Sequence, residues 1–123
     1  MAVYKLTDGI ATAGGFAFES FGTVTGAALA ATLNTMCGVV TTEGLTTAAA
    51  AEQTYTITNS LVTASDIVIA MIGNGTNTTL GAAVVSVTPG SGSFTVSFTN
   101  VHAASALNGT LKISFVVIKT SAQ

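Results

Sequence analysis

The chain has 123 residues, enough for one domain with a single sizeable core and no need of a disulfide or metal staple. Only 7% of it is charged, three Lys and five acids with no Arg, against about 25% in ordinary soluble domains, while 49% is apolar and the mean hydropathy is +0.69. That hydropathy excludes a disordered chain, the scattered Lys5, Lys112 and Lys119 exclude a basic stripe for nucleic acid, and no apolar run approaches the ~18 residues of a membrane helix.

Residues 1–35 read as an N-terminal docking arm. The opening Met1–Gly9 lacks the layout of a signal peptide, so cytosolic synthesis is expected. Gly14-Gly15 precedes an aromatic cluster, Phe16, Phe18 and Phe21, which together with Tyr4 forms the candidate interface, the alternative being that these rings complete the domain core. The small-residue stretch Gly26–Leu33 has helix propensity and predicts a short helix that needs packing partners, since it has no charged face to meet water.

Residues 36–123 read as the β-domain. Strands are expected over 36–43, 53–59, 66–72, 82–88, 93–100 and 110–118. Tyr55, Ile57 and Asn59 alternate with threonines, Phe94, Val96 and Phe98 with Thr95, Ser97 and Thr99, and Leu111, Ile113 and Phe115 with Lys112 and Ser114. This is the period of two of a half-buried strand. Asn74-Gly75 and Asn108-Gly109 tolerate the positive φ of tight hairpins, and Pro89-Gly90-Ser91-Gly92 reads as a hairpin turn with the single proline outside the ladders. Short strands at regular spacing with turn signals between them predict an all-β, antiparallel sandwich or jelly-roll-like fold.

Chemistry finds little footing. Ser105, His102 and Asp66 can be drawn as a triad, but no strained nucleophile elbow or spacing supports it, and His102 reads as a loop histidine bonded to backbone. One His, one Cys and the dispersed Asp8, Glu19, Glu43, Glu52 and Asp66 offer no metal-ligand set, and no cofactor is implied. Cys37 reads as a small half-buried hydrophobe. Gly90-Ser91-Gly92-Ser93 lacks the lysine and helix of a phosphate loop. An enzyme is not expected.

The runs Tyr55–Met71, Val84–Val96 and Asn100–Phe115, with their Thr-Asn-Ser, Val-Thr-Pro-Gly and Leu-Asn-Gly-Thr turns, resemble a module of virion structural proteins of tailed bacteriophages, especially phages of marine bacteria. The resemblance implies a capsid decoration (cement) protein or a fibre or knob component on the virion exterior. It also implies a homo-oligomer, commonly a trimer, whose partner is the major capsid protein or another virion protein. It supplies no catalytic or ligand residues. The composition points the same way: a net charge of −2 gives little colloidal repulsion, so the surface is expected to be covered by other subunits. A receptor- or glycan-binding tip would instead use the loops Asn74–Leu80 and His102–Asn108, which hold no aromatic residue.

Overall fold

The computed structural model describes residues 20–120. It contains eight strands: β1 (Phe21–Thr25), β2 (Ala30–Thr32), β3 (Cys37–Thr41), β4 (Glu52–Thr58), β5 (Ile67–Asn74), β6 (Ala82–Gly90), β7 (Ser93–Asn100) and β8 (Leu111–Ile118). They form two four-stranded sheets, β1-β3-β8-β5 and β2-β4-β7-β6, stacked as a β-sandwich. No helix occurs among the described residues.

The alternating sequences make the core. Tyr55 and Ile57 of β4, Phe94, Val96 and Phe98 of β7, and Leu111, Ile113, Phe115 and Val117 of β8 all point between the sheets and are buried. The Phe94 and Phe115 rings meet across the two sheets, centroids 5.0 Å apart and tilted by 58°. Asn59 follows the same inward parity and is buried, donating to the Thr35 carbonyl at 2.7 Å.

Residues 21–32, expected in the arm, instead supply an outer strand to each sheet. β1 pairs parallel with β3 and β2 parallel with β4, while the other four ladders are antiparallel. The helix expected over Gly26–Leu33 is absent. Ala27 and Ala30 exchange both backbone hydrogen bonds around Ala28 and Leu29, whose φ angles are +54° and +61°, and the chain continues as β2. Pairing with β4 satisfies the backbone of this stretch and packs Ala31 and Leu33 against the core, a contact that decides against its helix propensity. Gly26 is required at this turn because a Cβ there would collide with the Tyr55 hydroxyl.

Two turn expectations also change. Asn74-Gly75 and Asn108-Gly109 do not close hairpins: β5 and β8 pair with each other, Asn74 ends β5 with Gly75 opening the loop that crosses to the second sheet, and Asn108-Gly109 lies in the loop that crosses back. Pro89 lies inside a ladder, opposite Phe94, but on β6, an edge strand where a residue without an N–H is tolerated. The β6–β7 hairpin itself forms as expected, closed by the Gly90–Ser93 pair with Gly92 at φ +79°.

Candidate docking face

The two outer faces of the sandwich differ in chemistry. On the second sheet, Thr54, Thr56 and Thr58 of β4 stand beside Ser93, Thr95 and Ser97 of β7, with Ser86 and Thr88 of β6 next in register. Hydroxyls bond across the strands, Thr54 to Ser97 at 2.9 Å.

The first sheet is the reverse. Its register places Ile67 beside Ile118, then Ile69, Val116, Cys37 and Phe21 in one row, then Met71, Ser114, Val39 and Thr23 in the next. The following row, Gly73, Lys112, Thr41 and Thr25, is polar and holds the one charged side chain of the face. Exposure is high for large apolar groups: Met71 69%, Phe21 60%, Ile69 52% and Ile67 50%. A shallow depression between β5 and β8, lined by Ile69, Met71, Ser114 and Val116, lies within this patch. Contiguous exposed apolar surface of this kind makes this face the candidate docking surface.

Of the candidate interface residues, Phe21 falls in the apolar row on edge strand β1. Tyr4, Phe16 and Phe18 lie outside the described residues. Residues 67, 69, 71, 116 and 118 were not singled out by the sequence. The unbroken apolar runs 67–72 and 115–118 show no alternation that would mark an outward side, and only the register reveals it. Cys37 is free and half-buried, its Sγ 3.3 Å from the Ser20 carbonyl.

The polar groups at the loops are used internally. His102 Nδ1 accepts from the N–H groups of Ala104 (3.0 Å) and Ser105 (2.9 Å). Asp66 is engaged elsewhere, accepting from Lys119 Nζ at 2.6 Å and from the Thr63 N–H at 2.8 Å, so Ser105, His102 and Asp66 do not assemble as a triad. The loops Asn74–Leu80 and His102–Asn108 do come together. The Thr78 N–H donates to Asn108 Oδ1 (2.8 Å), the Asn108 N–H to Asn77 Oδ1 (3.0 Å) and the Thr110 N–H to Thr76 Oγ1 (2.9 Å). Gly109 is required there, since a Cβ would sit 2.6 Å from the Asn77 nitrogen. No group of three or more His, Cys, Asp or Glu side chains capable of holding a metal occurs among the described residues.

Two carboxylates are structural. Burial works against ionisation of Glu43, but the Leu29 N–H at 2.6 Å, its own N–H and the Tyr55 hydroxyl at 2.8 Å outweigh it and hold the carboxyl below its ordinary value. Burial and the same Glu43 carboxylate push the Tyr55 phenol well above its ordinary range. Asp66 likewise lies below its ordinary value: burial opposes this, and Lys119 and Thr63 prevail. No protein-family model, curated protein or solved structure shows a significant match to the chain, so the register and burial of its own residues carry the functional reading.

Proposed function

We propose that the chain is a structural protein of a bacteriophage virion, a cement protein that decorates the capsid exterior and stabilises it without catalysis. Copies of it associate, as trimers in the form the resemblance implies, and pack on major capsid subunits. The observation that supports this reading best is the apolar outer face of the first sheet, set opposite a hydroxyl-covered second sheet. A chain with 7% charged residues has few other means of staying dispersed, and covering such a face suits a multi-copy shell. At ~25 cal/mol per Å², burying about 300 Å² of it contributes roughly 7 kcal/mol before the costs of association, and symmetry repeats that contribution. Binding to the assembled shell alone then stabilises the shell by linkage.

A fibre, knob or receptor-binding tip is the second reading, favoured by the meeting of the Asn74–Leu80 and His102–Asn108 loops at one place. Their polar groups are largely spent on one another, which leaves fewer for a glycan or receptor.

The test adds purified protein to capsids that lack it and reads copy number per particle and the temperature of shell rupture. Wild type is expected to bind all over the shell and raise that temperature. A double variant, Ile69→Lys with Met71→Lys, is expected to keep its fold by circular dichroism and lose both effects. A few copies confined to a tail tip would move the assignment to the fibre reading, and no particle association at all would sink both.

A further inference from the structure

β5 is an edge of the first sheet, and the direction of its backbone groups follows from the ladders beside it. The Gly75 N–H donates to the Thr110 carbonyl at 2.9 Å, one step beyond the Asn74–Leu111 pair. On the other side of β8, the Thr42 N–H donates to the Leu111 carbonyl and the Val117 N–H to that of Met36, so the odd-numbered residues of β8 bond β3. Alternation along an antiparallel ladder then gives Ile67, Ile69, Met71 and Gly73 the bonds to β8. It turns the N–H and C=O of Val68, Ala70, Ile72 and Asn74 toward the outer edge, with which no strand pairs among the described residues.

The other three edges are guarded in ways that β5 is not. β1 and β2 are five and three residues long, and β6 carries a register shift between Val84 and Ser86 as well as Pro89. Short strands, bulges and prolines all discourage pairing with another chain. β5 runs for eight residues in unbroken register, with no proline and no charge.

These features also select the partner. A two-fold axis brings any charge on a strand close to its like, and β5 has none to oppose pairing with itself. Val68 is buried, which leaves the stretch from Ile69 to Asn74 for another strand to reach. We propose that this stretch pairs antiparallel with the same stretch of a second copy, about a two-fold axis at Met71, fusing two first sheets into one. Ala70 of each copy then exchanges N–H and C=O bonds with Ile72 of the other. Met71, 69% exposed, lies against its own mate. Ile69 lies beside Gly73 of the other copy, where no atom stands within 4 Å of a Cβ position. The apolar rows become continuous across the seam, so two copies present one wider docking face. This rests on the multi-copy reading above and names one of its contacts: a two-fold seam joins copies in pairs, and joins one trimer to the next.

The test uses the full-length protein with Cys37→Ser, so that Met71→Cys supplies its one thiol. Opposed residues of a non-hydrogen-bonded pair have Cα atoms ~4.5 Å apart, within disulfide reach. Mild oxidation is expected to give a covalent dimer, whereas Val85→Cys in the same background, exposed on the guarded edge β6, is expected to give little. No dimer from Met71→Cys, or an equal yield from Val85→Cys, would overturn the proposal. Ala70→Pro removes an edge-facing N–H and leaves the bonds to β8 in place. It is expected to weaken association roughly 10-fold or more at an unchanged circular dichroism spectrum, and association of wild-type strength would count against the seam. Hydrogen exchange of the wild type decides if that variant does not fold. The Ala70 and Ile72 amides are expected to be protected in the associated protein and to exchange freely after dilution to monomers. Free exchange in the associated form overturns the seam, and protection in the monomer does so by assigning the edge to another part of the same chain. Capsid binding is scored separately. A Met71 cross-link without capsid binding would remove the cement role and leave the seam standing, and capsid binding by a protein whose edge amides exchange freely would do the opposite.

Discussion

Asn100 closes β7 with its side chain fully buried, and one amide there organises two loops. Its Nδ2 group reaches the carbonyls of Thr47 (3.0 Å), Ala48 (3.2 Å) and Ser105 (2.9 Å), and its Oδ1 accepts the His102 N–H at 3.0 Å. Removing the amide strands these carbonyls without water. Asn100→Ala is therefore expected to cost about 2–3 kcal/mol, read as a lower urea midpoint at unchanged m-value. Asn100→Asp is expected to be worse, because a carboxylate would face three carbonyl oxygens and donate to none. A variant within 0.5 kcal/mol of wild type would show that the loops are held by other contacts. The environment of His102 has the same origin: its ring nitrogen is a cap for the turn that Asn100 positions, and its reading as a backbone-bonded loop histidine came from the sequence alone.

At the level of elements, β3 to β8 were all readable in position to within about two residues, but the inward face was readable only in β4, β7 and β8, which alternate bulky with hydroxylated or charged residues. β1 and β2 were not. Phe21-Gly22-Thr23-Val24-Thr25 is short, and its inward Gly22 carries no hydrophobic signal because Leu33 fills the space beside it. The Ala-rich run before Leu33 favours helix by propensity, and only the parallel partner β4 makes it a strand. That victory of pairing over propensity leaves strain: Ala28 and Leu29 both sit in the left-handed region, which costs a residue with a Cβ roughly 1–2 kcal/mol. Ala28→Gly relieves one of these residues while keeping Leu29, which packs on the core and donates to Glu43. It is expected to raise stability by about 0.5–1 kcal/mol in chemical denaturation. Destabilisation by Ala28→Gly would mean that the turn departs from this geometry in solution.

For the whole molecule, scarcity of charge makes the pH response attributable to individual groups. The chain has five carboxylic side chains, and two of them, Glu43 and Asp66, are held ionised by part-buried hydrogen bonds. Both have folded-state values below the ordinary 4.5 and 3.8, so the unfolded chain takes up protons first as the solution is acidified. Their stabilisation is complete above those ordinary values and disappears as pH falls through the lower folded values. Two protons set the limit of that slope, about 2.7 kcal/mol per pH unit. Tyr55 acts at the other end: its phenol is raised above 10.0, so stability is complete below that pH and declines as the solution becomes more alkaline. Because Glu43 bonds both the Leu29 turn and Tyr55, it ties β2 to β4, while Asp66 and Lys119 tie the chain after β8 to the loop before β5. Thermal unfolding between about pH 3 and pH 11 is thus expected to show a plateau with two shoulders. Glu43→Gln and Asp66→Asn should each lower Tm on the plateau and shallow the acid shoulder, and Glu43→Gln should also change the alkaline one. An acid shoulder of wild-type steepness in the double variant would assign it to the three remaining acids.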